Sequence, residues 1–346
     1  MITANMLSVE RTIRELKQKI KNIDLDVLRF LRDNFTIDYY PNDTCIHFNG
    51  IAYKNVLLEP QRLKMDFISF VSHAHSDHLP TGGHGSILSS EVTWRFSKRG
   101  PLIKDIPDNI ELLPAGHVPG ATMLYIEDEL NVLYTGDFSL HDTSLFMAAE
   151  PRKADIVFLD ATYGAPDYTF PEREEEKTRL LEAIDYFERV NVLTYTFGKP
   201  QEILTYLREH YGKGFEEDVY LSRSIFKKTY IIGDLMRSAG IDVYSFSQNP
   251  KRASIMITNR AILDPTRVTI TVSGFWRAEG DYHFYLSSHE DYNGLLEFLR
   301  KCEPRLIVTL WGPEGSERNL SRDLEIPALS FNELIALLTV LRYPLI

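Results

Sequence analysis

Apolar positions along this chain follow two periods, and each period predicts a different kind of element. Near the N-terminus an apolar residue recurs at every third or fourth position among many charges, which predicts an amphipathic helix within residues 8–33. The residues that carry this pattern are Ile13, Leu16, Ile20 and Ile23. Short runs rich in Val, Ile and aromatic residues predict strands instead, and they occupy residues 45–58, 65–72, 129–138 and 154–164. In the first of these runs, the pair Asn49-Gly50 predicts a hairpin turn.

Strands and helices alternate from residue 171 onward, and this alternation predicts a second structural unit. A helix within 171–190 begins with a proline and acidic residues, and predicted strands at 191–197 and 241–246 flank further helical segments. Such alternation is typical of a small parallel α/β unit, whereas short strands return after about residue 265. We therefore expect one domain interrupted by another. The expected parts are an N-terminal helical extension (1–34), the first domain in two pieces (35–174 and 266–346) and the insert (175–265).

Composition narrows the possible classes of protein. With 346 residues, of which 44% are apolar, the chain has enough material for about two domains. Its two cysteines, Cys45 and Cys302, are too few for a disulfide framework, which fits a reducing compartment. The N-terminus lacks the apolar run of a secretory signal, and no stretch approaches the length of a membrane span. We expect a cytoplasmic protein, or a nuclear one if the source is a eukaryote, with no membrane partner.

Charge is distributed unevenly, and this matters for the kind of ligand. The formal net charge of −11 argues mildly against a nucleic-acid partner. Residues 199–260, however, contain ten Lys and Arg against seven Asp and Glu. Locally basic surface counts for more than the total charge when the ligand is a phosphate backbone. The charge of the insert therefore keeps nucleic acid open as a partner.

The segment HAHSDH, residues 73–78, places three histidines and one aspartate directly after a predicted strand. His73 and His75 are two positions apart, so on an extended segment they face the same way and can share one metal ion. Asp77 and His78 are adjacent, so their side chains diverge and can reach a second ion nearby. This density of potential ligands predicts a metal site.

Two further candidate ligands lie downstream. His117 occurs in the segment AGHVPGAT, and Asp137 follows a predicted strand in LYTGDF, where one carboxylate can bridge two cations. Imidazole and carboxylate groups together suit zinc, manganese or iron. Isolated histidines, in contrast, are expected at the surface or in the core. This expectation covers His47, His84, His141, His210 and His283.

In their order and spacing, these motifs resemble the metal motifs of the metallo-β-lactamase fold, over residues from about 45 to 160. Three more segments narrow the resemblance to the β-CASP nucleases, the branch that contains Artemis-like DNA exonucleases and ligase-associated DNA exonucleases. These segments are FLDATYG (158–164), TYTFGKPQEILTYL (194–207) and FYLSSHEDYNGLLEFLR (284–300). The resemblance implies an α/β fold: a metallo-β-lactamase αββα sandwich with an inserted β-CASP-type parallel α/β domain.

The resemblance also implies roles for individual residues. One metal ion would be held by His73, His75, His117 and Asp137. The other would be held by Asp77, His78 and the shared Asp137. His289 would protonate the departing oxygen or complete the second site, and Asp160 would orient His289 or a ligand. Two simpler interpretations stay open, with Asp160 as a turn residue and His289 as a helix cap. The implied catalytic residues are Asp77, Asp160 and His289. The implied cofactor is one or two divalent metal ions, with zinc favoured and manganese or magnesium as alternatives.

The start of a predicted helix offers a candidate phosphate site. Lys199 follows Gly198 and precedes Pro200, so free backbone amides and one ammonium group would face a ligand there. Lys227 and Lys228 follow the Ser-rich turn LSRS and would extend the site. We expect phosphate binding from this cluster, although each lysine by itself is more typical of a solvated surface position.

One position departs from the RNA-cleaving members of the family. Enzymes such as RNase J carry another histidine on a late strand, where this chain has Leu310 and Trp311. DNA-acting relatives have an apolar residue there, so the departure favours DNA over RNA and leaves the second metal ion one ligand short. Trp311 is expected to pack in the core, with base stacking as the alternative.

The function expected from these features is that of a metal-dependent phosphodiesterase. Specifically, we expect a DNA nuclease, in the first place a 5′-exonuclease used in DNA repair, with repair proteins as partners. An RNA-processing nuclease of the same fold is one alternative. A small-molecule hydrolase, such as a thioesterase or lactamase, is another, and the basic insert disfavours it. A binding module without catalysis is disfavoured by the complete ligand set.

Overall fold

A computed structural model describes residues 16–42, 45–261, 264–275 and 280–342. Its strands are β1 (Phe35–Asn42), β2 (Cys45–Tyr53), β3 (Val56–Leu58), β4 (Arg62–Leu63), β5 (Ile68–Phe70), β6 (Gly82–Gly83), β7 (Ser86–Leu88), β8 (Ile110–Pro114), β9 (Thr122–Ile126), β10 (Val132–Tyr134), β11 (Ile156–Leu159), β12 (Val190–Leu193), β13 (Val219–Leu221), β14 (Ile255–Thr258), β15 (Val268–Val272), β16 (Tyr282–Phe284), β17 (Leu306–Thr309) and β18 (Ala328–Ser330). Its helices are α1 (Leu25–Asn34), α2 (Glu91–Ser97), α3 (Arg173–Tyr186), α4 (Lys199–Tyr211), α5 (Arg223–Ile231), α6 (Gly233–Ser238), α7 (Tyr292–Cys302), α8 (Ser316–Leu324) and α9 (Phe331–Arg342). A helical segment at residues 16–20 precedes α1.

Two sheets of the first domain share one apolar cluster. One sheet has the strand order β1-β2-β3-β5-β7, and the other has the order β18-β17-β11-β10-β9-β8. Aromatic rings from both sheets meet in this cluster: Phe35 lies 5.5 Å from Phe158, and Phe70 lies 5.9 Å from Tyr134, measured between ring centroids. Helices α1 and α9 add their buried faces to the same cluster. The removal of this apolar area from water holds the two sheets and the two helices together.

The insert is built on a third sheet, which is parallel throughout. Its strand order is β13-β14-β12-β15-β16. A purely parallel sheet needs helices over its faces because its strands are buried on both sides. Accordingly, every residue of β12 and β14 is buried, and the first nine residues of α4 are buried as well. Together with the mixed sheets of the first domain, this sheet confirms the α/β class.

The sheet of the insert extends further along the chain than the sequence predicted. Strands β15 and β16 lie after residue 265, yet β15 pairs with β12 and β16 pairs with β15. The expected return to the first domain at residue 266 rested on the local appearance of short strands. Local pattern does not reveal which sheet a short strand joins, so only the pairing assigns residues 268–284 to the insert.

The predicted turn at Asn49-Gly50 is wrong in position. Asn49 is the extra residue of a β-bulge where β2 pairs with β1. Its side chain bonds both backbone groups of Arg62, accepting from the N–H at 2.8 Å and donating to the carbonyl at 3.0 Å. These bonds occupy Asn49 inside the strand, and the chain turns instead after Tyr53, where Lys54 has a φ of 48°.

Two other predicted elements also differ from the structure. Residues 241–246 form turns and not a strand, because the Asp242 carboxylate accepts bonds from the Tyr244 N–H and the Ser245 hydroxyl at 3.0 and 2.9 Å. The predicted N-terminal helix is interrupted at residues 21–24, and Ile13 lies outside the described residues. Across the described ranges, no helix has both the length and the apolar character needed to cross a bilayer.

Candidate metal centre and catalytic site

Loops that follow parallel strands carry the candidate site. In one sheet Glu59 follows β3 and His73 lies shortly after β5, while in the other Asp137 and Asp160 lie just beyond β10 and β11. The carboxyl ends of parallel strands meet at one edge of a sheet, and binding sites form there. The insert supplies the facing wall, so that both domains line a cavity of about 1140 Å³.

His73, His75, His117 and Asp137 form one cluster of candidate ligands. One ligand atom from each lies within 4.8 Å of the other three. The Nδ1 atom of His75 is 3.0 Å from Nε2 of His73 and 3.1 Å from Nε2 of His117. The Oδ2 atom of Asp137 is 3.4 and 3.5 Å from the same two Nε2 atoms. The structure thus brings together the four residues that were predicted to hold the first ion.

The outer ring nitrogens of these three histidines are held by the protein. Their partners are the Ser72 hydroxyl for His73 at 2.9 Å, the Phe197 carbonyl for His75 at 3.2 Å and the Ser288 carbonyl for His117 at 2.7 Å. Such bonds fix the orientation of a ligating ring. Burial keeps the pKa of His73 and of His117 well below its usual range and lowers the pKa of His75 to about 4. The rings are therefore neutral at pH 7, which is the form that binds a metal ion.

Asp137 has an oxygen that needs a partner. A Cβ atom on Gly136, whose φ is +53°, would lie 2.6 Å from the Ser72 side chain, so glycine is required to seat Asp137 here. The Asp137 side chain is buried, and within the described residues its Oδ1 atom has no hydrogen-bond partner. Burial raises the pKa of Asp137 to about 6. A buried carboxylate oxygen without a donor is costly, and a cation supplies what is missing. Three imidazoles and one carboxylate fit a zinc-type ion.

His78 approaches the same carboxylate. Its Nε2 atom lies 3.6 Å from Oδ2 of Asp137 and 3.8 Å from Oδ2 of Asp77. The Asp77 side chain is 79% exposed, which places this carboxylate at the mouth of the site. The Oδ2 atom of Asp137 is thus near both groups of candidate ligands, as a bridging carboxylate must be.

Glu59 belongs to this site, and the sequence analysis missed it. Its Oε1 atom is 2.9 Å from Nδ1 of His78, and its carboxylate also accepts bonds from the hydroxyls of Ser72 and Tyr134. Burial would raise the pKa of Glu59, but pairing with His78 outweighs it and lowers this pKa. Burial would lower the pKa of His78, but the carboxylates of Glu59 and Asp137 outweigh it and raise this pKa to about 10. Glu59 therefore orients His78, and ligation of His78 requires loss of the proton on Nε2. The available signal was its place directly after β3.

His289 and Asp160 form a hydrogen-bonded pair beside the cluster. The Nδ1 atom of His289 is 2.7 Å from Oδ2 of Asp160, and its Nε2 atom is 3.9 Å from Oδ2 of Asp137. The other oxygen of Asp160 accepts bonds from the N–H and hydroxyl of Thr162, so Asp160 is also a turn residue. Burial opposes the shift, but Asp160 and Asp137 raise the pKa of His289 to about 9. A protonated imidazole with Nε2 facing Asp137 is placed as a general acid would be.

Two of the predicted phosphate ligands are already engaged within the protein. The N–H of Gly198 donates to the side chain of Gln201 at 2.7 Å, closing the first turn of α4. The Lys199 side chain is 3% exposed, pairs with Glu202 and donates to the Ser287 carbonyl at 3.3 Å. Burial lowers the pKa of Lys199 to about 8. In this arrangement neither the amide nor the ammonium group is free to receive a phosphate.

The other two lysines lie on α5, and only Lys228 reaches the cavity. Its ammonium group donates to the hydroxyl of Thr196 at 2.8 Å and lies 6.0 Å from the ring of Phe197. Lys227 is exposed and does not line the cavity. Phosphate binding stays a prediction, with Lys228 as the residue that is best placed for it.

Trp311 was expected in the core, and this expectation is wrong. Its side chain is 43% exposed and lines the cavity next to His78. The expectation rested on residue type alone, and indole groups are buried only where neighbours cover them. The other five histidines of the described chain join none of the candidate metal clusters.

Comparisons with known proteins identify relatives of this chain. No protein-family model matches it. It is 30% identical over 286 residues to a probable DNA ligase of Opitutus terrae, which covers 70% of this chain and 26% of that protein. It is 31% identical over 160 residues to the DNA cross-link repair 1A protein of Mus musculus, which covers 39% of this chain and 16% of that protein. It is 25% identical over 268 residues to the RNase aCSPSF2 of Saccharolobus solfataricus, which covers 61% of this chain and 54% of that protein.

The chain thus spans between 16% and 54% of the length of these relatives. The similarity to these relatives confirms the resemblance to the metallo-β-lactamase/β-CASP nucleases that the sequence motifs indicated.

Proposed function

We propose that this protein, a relative of the metallo-β-lactamase/β-CASP nucleases, is a metal-dependent nuclease that hydrolyses DNA from its 5′ end in DNA repair. The observation that carries the proposal is the surroundings of Oδ2 of Asp137. Four histidine Nε2 atoms lie within 3.9 Å of this oxygen, and they belong to His73, His78, His117 and His289. One carboxylate therefore joins two groups of metal ligands to a proton donor. The names of the ligase and cross-link repair relatives favour DNA.

The architecture supports the same assignment. An apolar cluster shared by two sheets is what a metallo-β-lactamase αββα sandwich requires, and a second cluster contains Leu133 and Val157 of one of these sheets together with buried residues of α7 and α8. The parallel third sheet with its helices corresponds to a β-CASP-type insert. The cavity between these domains has a volume of about 1140 Å³, which is above the range of about 300–1,000 Å³ typical of small-molecule pockets.

The ligand groups divide into two sites in this proposal. The first site consists of His73, His75, His117 and Asp137. The second consists of Asp77, His78 and the shared Asp137. The imidazole-rich donor set favours zinc, with manganese or magnesium as alternatives. Two bound cations supply Lewis-acid activation of water and offset the charge that develops on the phosphoryl oxygens, for a reaction that is extremely slow without a catalyst.

His289 supplies the proton that the leaving oxygen needs. Asp160 fixes Nδ1 of His289 and stabilises the imidazolium ion, so that the proton on Nε2 points toward Asp137. In hydrolysis from a 5′ end, the departing group is the 3′ oxygen of the terminal nucleotide. Transfer of the Nε2 proton to that oxygen leaves His289 neutral and completes the bond cleavage.

Recognition of the 5′ phosphate is assigned to α5. Lys228 faces the cavity, and Lys227 on the adjacent exposed surface adds positive charge outside it. Lys199 and Gly198 do not bind the phosphate in this proposal, although the sequence indicated that they would. Lys199 helps to hold the carbonyl of Ser287, two residues before His289, and Gly198 begins the helix that carries Lys199.

The proposal is tested with uniformly labelled single-stranded and duplex oligonucleotides of DNA and RNA, each with a 5′ phosphate or a 5′ hydroxyl. We expect release of mononucleotides that is fastest from 5′-phosphorylated DNA and is abolished by a chelator. His289→Ala should slow this release by about 10²–10⁴-fold. Faster cleavage of RNA would instead favour the RNA-processing alternative that the name of the archaeal relative suggests. Hydrolysis of a thioester or lactam without cleavage of either polymer would favour the small-molecule alternative.

A further inference from the structure

The cavity continues past His78 along four aromatic side chains that the proposed chemistry leaves unused. This aromatic wall consists of Tyr39, Phe48, Phe331 and Trp311, all of which line the cavity. The ring of Phe48 lies 6.3 Å from that of Tyr39 and 5.8 Å from that of Phe331, with planes nearly perpendicular. All four residues belong to the first domain, and Trp311 is next to the candidate ligand His78.

Trp311 is the member of the wall that is nearest to the ligands. Its ring centroid lies 5.6 Å from that of His78, with an angle of 86° between the planes. Nearly half of its side chain is accessible. A large aromatic group that stays exposed inside a binding cavity offers its face to a ligand.

The backbone on both sides of Trp311 is fixed. The N–H of Leu310 donates to the carbonyl of Leu159 at 2.8 Å. Gly312 has a φ of +119°, and a Cβ atom there would lie 1.8 Å from the carbonyl oxygen of Ala161. The backbone that carries the exposed indole is therefore held in place, so a ligand can stack on it without first ordering a loop.

A series of neighbouring rings connects Lys228 with Trp311 through the ligand cluster. His75 is next to Phe197 (6.3 Å between ring centroids), the residue whose ring Lys228 approaches. The ring of His73 lies between the other two histidine rings, 4.7 Å from His75 and 4.1 Å from His78. Along this series of contacts the order is Lys228, then the ligands, then Trp311.

We propose that Trp311 stacks on the nucleobase of the second nucleotide from the 5′ end, the one that follows the scissile phosphate. The inference rests on the proposed function. With the terminal phosphate at Lys228 and the scissile phosphate at Asp137, the next nucleotide along the strand reaches Trp311. A base that stacks on an indole has left the stack of its own strand, so this position selects ends that are unpaired. The ligand at this position is a base of a single strand of nucleic acid. Trp311 contacts the π face that every base has, so the stacking does not depend on the sequence.

The test uses three 5′-phosphorylated single strands: one intact, one abasic at the first nucleotide and one abasic at the second. On the intact strand Trp311→Ala should lower kcat/KM by about 5- to 150-fold, the range found for loss of one base stack. The same loss should persist when the first nucleotide is abasic. It should vanish when the second is abasic, because wild type then has no base to stack. Trp311→Phe, which keeps an aromatic face, should retain most of the rate.

Controls separate this role from a general effect on the fold. Tyr186→Ala removes an aromatic group that is 81% exposed and lies outside the cavity, and it should leave all three rates unchanged. The inference is overturned if Trp311→Ala lowers kcat/KM equally on all three strands. It is also overturned if the loss of kcat/KM disappears only on the strand whose first nucleotide is abasic. An unchanged rate on the intact strand overturns it as well. If Trp311→Ala does not fold, Trp311→Leu takes its place and should show the same pattern. If wild type cleaves none of the strands, the proposed function fails and the inference with it.

Discussion

Glu59 shows how one side chain organises a site without joining the predicted ligand set. Its backbone has a φ of 44°, a conformation that is strained for a residue other than glycine and that recurs at functional sites. The N–H of Glu59 donates to the carbonyl of Phe70 at 2.9 Å, which ties the end of β3 to the end of β5. From there its carboxylate bonds Ser72 and His78, which stand at the two ends of the metal-binding segment.

Glu59→Gln tests this role. The substitution keeps the size of the side chain but removes the negative charge that faces Nδ1 of His78. We expect the affinity for the second metal ion to fall by about 10- to 100-fold, while the first stays close to its wild-type value. Titration of the apoprotein with metal, in the presence of a competing chelator, measures both affinities. Tyr134→Phe is the control, because it removes one donor to Glu59 and leaves the carboxylate in place. Equal weakening of both ions would show a general disruption instead.

Local spacing was sufficient to predict most of the residues around Asp137. His73, His75 and His78 lie close together in the sequence, and Asp137 follows a recognisable strand. Glu59 and Trp311 were not predictable in the same way. Glu59 has only its place directly after a strand as a signal, and the roles of both residues depend on which side chains cover them and which face them in the folded chain.

At the scale of elements, a buried ion cluster joins the start of α3 to the start of α4. Glu202 pairs with both Arg173 and Lys199. Arg173 and Lys199 both donate to the carbonyl of Ser287, at 2.7 and 3.3 Å. The helices of the insert thereby hold the segment that carries His289. Lys199 is buried and paired with Glu202 because it helps to hold this segment through the Ser287 carbonyl.

The cluster predicts a pH dependence of stability. Burial opposes the shift, but Arg173 and Lys199 lower the pKa of Glu202 to about 2, below its usual value of 4.5. Between pH 4.5 and 2 the unfolded state therefore binds more protons, so stability declines as pH falls through this window. We expect the excess stability of wild type over Glu202→Gln to shrink by about 2 kcal/mol between pH 5 and 3. Urea unfolding of the metal-free proteins measures it, with exposed Glu182→Gln as the control. A constant difference would mean that Glu202 is not held as a buried carboxylate.

The presence of a helix or strand was easier to predict than the sheet in which a strand pairs. The helix of residues 171–190 and the strand at 154–164 appear as α3 and β11, because each has a strong periodic pattern or apolar run. The turn expected at Asn49-Gly50 and the strand expected at 241–246 failed because side-chain bonds to the backbone override local preference. Short strands were expected after residue 265, but only the pairing of β15 with β12 and of β16 with β15 shows that these two strands belong to the insert.

At the scale of the molecule, the site exists only where the two domains meet. The Phe197 carbonyl of the insert holds His75, and the Ser288 carbonyl holds His117. An ion pair between Arg95 and Asp234, at 2.8 Å, joins the domains further out. Displacement of the insert would therefore release the candidate metal ligand His75 from its outer partner. No sequence pattern specifies such contacts, since they join residues more than one hundred positions apart.

The most direct test of the account is the rate at which wild type and Asp137→Ala hydrolyse a 5′-phosphorylated DNA strand at saturating zinc or manganese. The variant removes the one carboxylate that joins both groups of ligands to His289. Metal ions contribute several kcal/mol to transition-state stabilisation, so we expect the rate to fall by at least about 10³-fold. Asp108→Ala, at an exposed position away from the cavity, should keep the wild-type rate. Hydrolysis by Asp137→Ala at the wild-type rate would contradict the account.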